Sequence, residues 1–430
     1  MQNTEKNTGK KIRSRILQNM DHEQDYSDAE LKAAIEREVN RCSREEMLSL
    51  GERETLAKEI FHSFRKMDIL QELLDDPDVT EILVNGENNI FYEQEGQLYR
   101  WNRTFESEES LMNLIQAVAG RSNRSVNELE PIVDTRLPDG SRVNIVLGPV
   151  SLDGPCVSIR KFSAMPMTTQ RLIGMGSISE EMVSMLRLCV ISGYNIFVSG
   201  GTGSGKTTFL NALSQFIPSS ERVITIEDSA ELRLDGIPDL VRLETRESNV
   251  NGVEPITIRD LIRTALRMRP DRIIVGEVRG AEALDMLQAI NTGHNGSMST
   301  GHANSTADML RRLETMVLMG MDLPVAAIRG QIAGGLDIMV HLARLRDHSR
   351  RCVEISEITG MEQGEVRLSR LYRFTERGEK DGRIIGEWEK CGTLSRREKL
   401  RSAGCEEAFE ALTSGTGRAA CSGRRDGEAV

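Results

Sequence analysis

No apolar run in this 430-residue chain approaches the roughly 18 residues that a membrane-spanning helix requires. Its first fifteen residues are charged and lack the apolar centre of a secretory signal. Work at a membrane is therefore expected to pass through partner proteins, from the cytoplasmic side. Paired cysteines are missing too. Cys42, Cys156, Cys189, Cys352, Cys391, Cys405 and Cys421 are scattered singly, with no CxxC and no histidine at metal-ligand spacing, which argues against a zinc framework and fits a reducing compartment. Positive charge is in deficit, 55 Lys and Arg against 66 Asp and Glu for a formal net charge of -11. That balance speaks against a surface built throughout to attract nucleic acid. An N-K-x-D segment is absent, which removes the support for a guanine-reading switch.

What remains is the composition of a folded protein, 39% hydrophobic and 28% charged with sparse aromatics at 4%. A chain of this length exceeds one hydrophobic core, so two domains with an appended piece are expected. Residues 1–26 are polar and mixed in charge and read as a flexible tail. Ser27-Asp28-Ala29-Glu30 has capping-box spacing ahead of Leu31, Ile35, Val39 and Cys42 on one helical face. Ser43 and Glu46 repeat the box, and Leu56, Ile60, Phe61 and Phe64 recur at helical spacing. Residues 27–75 are thus expected to form a helical bundle suited to docking.

The period then changes. Thr80–Val84, Ile90–Tyr92 and Leu98–Trp101 are short strands separated by Asn85-Gly86 and Glu95-Gly96 turns. Leu111, Leu114, Ile115, Val118 and Ala119 mark an amphipathic helix, and strands resume over Val133–Val146 and Cys156–Phe162, giving a compact α+β domain over 76–165. After a linker around residues 163–168, residues 166–378 alternate helix and strand. Strands are expected at Asn195–Ser199, Val223–Glu227, Leu240–Leu243, Arg272–Val275 and Ser297–Thr300, in a mostly parallel sheet covered on both faces. Residues 379–430 read as a charged, partly disordered extension.

Gly200-Gly201-Thr202-Gly203-Ser204-Gly205-Lys206-Thr207 fits G-x-x-x-x-G-K-[ST], after an apolar strand and before the helix opening at Thr208. The glycines let backbone N–H groups curl around phosphates, the helix N-terminus adds its dipole, Lys206 reaches the outer phosphates, and Thr207 offers a hydroxyl to magnesium. Glu227 and Asp228 end an apolar run, where carboxylates at a sheet edge face a ligand crevice; taken alone, a solvated strand end is the commoner meaning. Arg272–Val275 leads to Glu277, which has the placing of an acid that holds magnesium through water or polarises a nucleophile, and Arg279 follows. His294 and His302 lie among small and hydroxyl residues, too far apart for a metal pair. Arg259, Arg263 and Arg267 form a basic helical stripe that is more simply a solvated face.

The order of these elements resembles the ATPase superfamily of type II secretion, type IV secretion and type IV pili, with its Walker A, Asp box, Walker B and His box. Arg242–Arg246, Arg267–Arg272, Gly276–Gly280 and Asn291–His294, with Asp134–Asn144 and Ser158–Phe162 upstream, look like the CpaF/TadA branch that powers Tad (Flp) pili. The resemblance covers roughly residues 68–376. It implies a RecA-like P-loop domain, a smaller N-terminal domain, a homohexameric ring, ATP and Mg2+ as ligands, and inner-membrane platform proteins as partners. Carried over position by position, Gly200 to Thr208 bind nucleotide, and Glu227, Asp228, Glu277 and His302 form the catalytic set. Thr207 and Glu277 serve the metal, and Arg136, Arg142 and Arg160 reach the phosphates from the N-terminal domain. Gly301 stands where that family commonly has an aliphatic residue, and the freedom of a glycine is expected to loosen His302. The alternatives are a conjugative DNA-transfer ATPase of the same superfamily and a nucleotide-gated scaffold without turnover.

Overall fold

The computed structural model describes residues 27–414 except 47, 95, 123, 162–166 and 247–253, together with residues 12, 15 and 16. Most of the expected tail, much of the linker and the last sixteen residues thus lie outside the described residues. The chain divides into two compact units, Met1–Ala164 and Met165–Val430.

Unit 1 begins with helices Asp28–Glu46 and Leu50–Arg65. Leu31, Ile35, Val39 and Cys42 of the first meet Leu56, Ile60 and Phe61 of the second. Ile12 and Ile16, expected in a flexible tail, are buried in the same cluster, because two apolar residues four apart share one helical face. The capping expectation needs a correction. Ser43 and Glu46 lie inside the first helix, and the second box is Ser49 with Glu52: Glu52 N–H donates to Ser49 Oγ at 3.3 Å and Ser49 N–H to Glu52 Oε2 at 2.7 Å. Spacing alone does not distinguish an interior Ser from a cap.

The rest of unit 1 is a six-stranded antiparallel sheet: β1 Val79–Asn85, β2 Asn89–Gln94, β3 Gln97–Arg100, β4 Ile132–Arg136, β5 Arg142–Val146 and β6 Cys156–Arg160. Their order is β3-β2-β1-β6-β5-β4. Val143, Ile145, Val157, Ile159, Ile82 and Val84 alternate onto one face and bury against Leu111, Ile115 and Val118 of helix Glu108–Arg121. The period of two therefore sends Arg142, Arg160 and Glu81 to the other face.

Unit 2 is built on a nine-stranded sheet: β7 Ile196–Gly200, β8 Val223–Glu227, β9 Leu240–Glu244, β10 Arg272–Val275, β11 Met298–His302, β12 Ile338–Arg344, β13 Arg350–Glu362, β14 Glu365–Lys380 and β15 Arg383–Lys390. The order is β15-β14-β13-β12-β7-β11-β10-β8-β9. From β12 to β9 every pairing is parallel, the α/β arrangement of a RecA-like domain. From β12 to β15 every pairing is antiparallel. Alternate residues of β7 show the two covered faces: Ile196 and Val198 enter one core with helices Glu180–Ile191 and Lys206–Ser214, while Phe197 enters the other with helices Glu282–Asn291 and Thr306–Gly320.

The boundary expected at residue 378 falls inside β14, and the supposed extension is part of unit 2 up to Ser414. Leu400, Ala408 and Phe409 join the first core. Glu357 accepts the Ser395 and Arg396 amides at 2.9 and 2.8 Å, and Lys399 Nζ donates to Asp337 at 2.7 Å. Cys405 is disulfide-bonded, although the dispersed cysteines of the sequence fit a reducing compartment. Among the described residues no single helix is long and apolar enough to cross a membrane.

At the start of β10 the Arg272 guanidinium is buried against Glu221 and against the backbone at Gly296, where a Cβ would stand 2.6 Å from Arg272 Nη1. Removing one partner of such a pair strands the other charge. Glu221→Ala is expected to lower the unfolding free energy of unit 2 by about 3–5 kcal/mol. Urea denaturation measures it, and a loss below about 1 kcal/mol would mean that the pair contributes no more than a surface bridge.

Candidate nucleotide site

Strands β7, β8 and β11 end at Gly200, Glu227 and His302, and β10 ends two residues before Glu277. A parallel sheet thus brings the four sequence elements to one carboxyl edge. Gly200 has no room for a side chain, since a Cβ there would stand 2.4 Å from the Leu342 carbonyl oxygen and 2.5 Å from Ser204 Oγ. Beyond it, Gly203 and Gly205 take φ of 70° and 90°, which only glycine adopts at little cost. Ser204 Oγ donates to the Gly201 carbonyl at 2.9 Å, closing the loop on itself. The helix Lys206–Ser214 starts directly from Gly205, so its free amides face into the loop. Thr207 and Thr208 are half-buried in its first turn.

Lys206 is buried and its Nζ donates to the Gly201 carbonyl at 3.1 Å and to His302 Nδ1 at 3.3 Å. With Nδ1 accepting, the imidazole proton sits on Nε2, which lies 2.8 Å from Glu277 Oε1. Glu277 Oε2 accepts from Arg279 Nη2 at 2.8 Å, and Arg279 Nη1 stands 3.9 Å from Asp228 Oδ2. Lys206, His302, Glu277, Arg279 and Asp228 therefore form one chain of contacts. Burial holds the His302 pKa below its ordinary value, with Glu277 opposing and Lys206, Arg279 and Arg312 adding to the shift. The hydrogen bond to Glu277 is the main cause that raises Arg279.

Glu227 is placed differently. Its carboxylate is buried, and Oε2 accepts the backbone amides of Glu231 and Leu232 at 2.7 and 2.8 Å. Burial raises its pKa against those two hydrogen bonds. Gly276 makes room for it, since a Cβ there would stand 2.9 Å from Glu227 Cγ. Gly301 follows the same logic and corrects the expected looseness. It is paired with Ser199 across β11 and β7, and a Cβ would meet Met309 Cε at 2.9 Å and Phe197 Cε1 at 3.0 Å. Gly301 is thus held in the strand and closely packed beside His302, where a side chain would have to displace the end of Met309 and the Phe197 ring.

A profile of the family described as Type II/IV secretion system protein matches residues 64–418. The chain belongs to that family. This secretion ATPase is 36% identical over 306 residues to a Mycobacterium tuberculosis protein provisionally named for conjugal transfer, spanning 70% of this chain and 86% of the relative. It is 35% identical to the type IV secretion system protein PtlH of Bordetella pertussis, over 65% of this chain and 90% of the relative. Among solved structures it resembles the VirB11 ATPase of the Brucella suis type IV secretion system in complex with sulphate, with 32% identity, coverage of 66% of this chain and 91% of that one, and a TM-score of 0.37.

Two groups of arginines complete the inventory of this secretion ATPase. In unit 1, Arg136 pairs with Arg142 across β4 and β5, Arg142 with Arg160 across β5 and β6, and Glu81 with Arg160 across β1 and β6. Direct cross-strand partners project from the same face, so the three predicted arginines form one row. Like charges in such a row are unfavourable by themselves. In unit 2, Arg350 Nε donates to the Gly203 carbonyl at 2.8 Å, a contact that the sequence reading missed. Its signal was the alternating strand ending at Arg344, the Asp347-His348-Ser349 turn and the arginines that resume the next strand. Two of the three arginines of the basic stripe are accounted for within the fold: Arg259 and Arg263 donate to the two oxygens of Asp285 at 2.6 and 3.0 Å, while Arg267 lies exposed beyond the helix end.

The donor set fits magnesium in a P-loop. Among the described residues no three His, Cys, Asp or Glu converge into a cage, and magnesium requires only one or two hard oxygen ligands beside phosphates and water. The Thr207 hydroxyl and the Glu277 carboxylate are of that kind.

A second imidazole is buried below the loop. His341 Nδ1 lies 2.9 Å from Ser199 Oγ, and burial depresses its pKa against the opposing influence of Glu354, the Asn304 backbone and Asp308. Because the folded pKa lies below 6.5, the unfolded chain binds the extra proton first. The stability contributed is complete above about 6.5 and is lost as pH falls through the folded value. The wild type is therefore expected to lose more urea stability than His341→Asn between about pH 7.5 and about pH 5.5. Equal losses in parallel titrations of the two proteins would contradict this.

Proposed function

We propose that this secretion ATPase is the motor of Tad/Flp-type pilus assembly, acting as a homohexameric ring at the cytoplasmic face of the inner membrane through a platform protein. The observation that carries the motor reading is the contact chain from Lys206 through His302, Glu277 and Arg279 to Asp228, on the edge where the P-loop opens. The branch-like motifs at Arg242–Arg246, Gly276–Gly280 and Asn291–His294 support the pilus assignment.

Gly200 to Thr208 hold the phosphates by backbone amides and hydroxyls, and Lys206 exchanges its Gly201 and His302 partners for phosphate oxygens. Thr207 and, through a water, Glu277 would hold magnesium, which would supply charge neutralisation at the phosphates. Glu277 is the base that orients the attacking water. Once Lys206 leaves Nδ1, His302 couples occupancy of the loop to the Glu277 carboxylate. Asp228 orients Arg279, and Glu227 is a positioning residue that anchors the 228–232 segment by its two amide hydrogen bonds. Arg136, Arg142 and Arg160 are phosphate ligands supplied from unit 1, a role that would give their row an anion to neutralise. Closure of the domains on the nucleotide is the working stroke.

Conjugal transfer or another type IV secretion task is the second reading, favoured by the names of the Mycobacterium and Bordetella relatives. Deleting the gene decides between them. Loss of surface pili with unchanged DNA and protein export supports the first, and the converse overturns it.

Lys206→Ala is expected to abolish ATP turnover, and undiminished phosphate release by the purified variant would remove the site assignment. Glu277→Gln is expected to bind ATP normally and to hydrolyse it about 100- to 1,000-fold more slowly. Single-turnover phosphate release checks this, and a rate within about threefold of wild type would transfer the base to another carboxylate.

A further inference from the structure

The loop between β12 and β13 lies against the P-loop, and its construction is unusually firm. Leu345 N–H donates to the Ser349 carbonyl at 2.8 Å and His348 N–H to Leu345 at 3.0 Å, with His348 at φ 62°. Asp347 accepts the Ser349 amide at 3.1 Å through Oδ1 and the Ile384 amide at 2.8 Å through Oδ2. Arg346 makes two hydrogen bonds to Glu376, at 2.7 and 2.6 Å, and two to Glu379 Oε2, at 3.3 and 3.1 Å. The tip is thereby tied to β15 and β14.

Its two flanking arginines meet the loop. Register places Leu342 opposite Gly200, so Arg344 lies two residues further along, beside the turn of the loop. Arg344 Nη1 is 3.8 Å from the position a Cβ would take on Gly203, and Arg344 Nη2 is 3.2 Å from His348 Nδ1. Arg350 donates from Nε to the Gly203 carbonyl at 2.8 Å, and its Cδ is 3.4 Å from the Cβ position of Gly205. The two left-handed glycines are the points at which the loop curls, and both are met from this side by guanidinium side chains.

We propose that the Arg344–Arg350 hairpin is a second, cationic wall of the nucleotide site, recognising the phosphate chain of a nucleoside di- or triphosphate. Arg350 is a positioning residue: its bond to the Gly203 carbonyl turns that peptide so that the neighbouring amides point into the loop. Arg344 adds a guanidinium for phosphate oxygens, whose planar fork suits that anion better than an ammonium. The inference rests on the nucleotide reading of Gly200–Thr207 and deepens it.

The test compares full-length wild type with Arg350→Ala, Arg350→Lys, Arg344→Ala and Lys206→Ala, using ADP and ATP carrying a fluorescent ribose label as probes. Arg350→Ala and Arg344→Ala are each expected to weaken ADP and ATP binding by about tenfold. Arg350→Lys is expected to recover less than half of that loss, because Lys has no Nε in the geometry of the fork. The KM for ATP should rise by about tenfold, with kcat within about threefold of wild type, as for uniform binding. Thermal melting without nucleotide, unchanged to within about 2 °C, separates this from misfolding. Affinities within about twofold of wild type for both alanine variants, or a fall in kcat at constant KM, would overturn the proposal. If Lys206→Ala binds as well as wild type, the P-loop reading itself fails, whereas loss in Lys206→Ala with no loss in the hairpin variants defeats only the second wall.

Discussion

The architecture of unit 2 turns on the close approach of two strands at Gly200. Its α-carbon is packed so tightly between the Leu342 carbonyl and Ser204 Oγ that no side chain fits, and from this point the chain leaves the sheet and curls into the loop. The same contact fixes the register of β12 against β7, and with it the position of the hairpin that follows. One residue without a Cβ therefore sets both walls of the pocket. Gly276 and Gly301 repeat the device beneath Glu227 and beside Met309, so three of the four strand ends at this edge are packed around absent side chains. That density leaves the polar groups little freedom to rearrange individually.

Confined in this way, the polar groups share partners. Lys206, His302, Glu277, Arg279 and Asp228 follow one another in a line of hydrogen bonds and close charged contacts, so withdrawing the lysine ammonium from the imidazole alters what stands beside the carboxylate. Burial and the surrounding cations hold the imidazole pKa down, which lets Nδ1 accept from Lys206 while Nε2 stands 2.8 Å from Glu277 Oε1. Such a line is suited to coupled response, since low dielectric surroundings strengthen each contact and make its loss costly.

The P-loop, the strand ends and the six-stranded sheet were legible because their signals are local: a fixed glycine spacing, apolar runs of four or five residues, and alternation with turn residues between them. The Ser49 box was missed in favour of Ser43 because both satisfy the same spacing. Residues 383–414 were illegible for a different reason. Strands β14 and β15 alternate Arg and Glu on an exposed face, with Arg377 bridging Glu387 and Glu389, and such a sequence reads as a solvated tail until its partner strand is known. Arg344 and Arg350 escaped because only the pairing of residue 342 with residue 200 brings them to the loop. Glu227 was identified, but the two backbone amides that occupy it belong to a segment whose course spacing does not reveal.

Strand β12 is the seam at which the sheet changes from parallel to antiparallel. On one side lies the loop, and on the other begin strands of 13 and 16 residues, whose lengths at about 3.3 Å per residue reach roughly 40–50 Å. A ladder of hydrogen bonds joins them without interruption by a flexible linker, although bulges at Ile355/Ser356 and Ile358/Gly360 bend it. Seen mechanically, β13 and β14 are a beam held at both ends: Arg346 ties the end beside the loop to Glu376 and Glu379, and Arg329 of helix Val325–Gly335 ties the opposite turn at Gly364 and Glu365. A beam supported in this way carries a displacement of the loop to that helix instead of losing it at an unsupported tip.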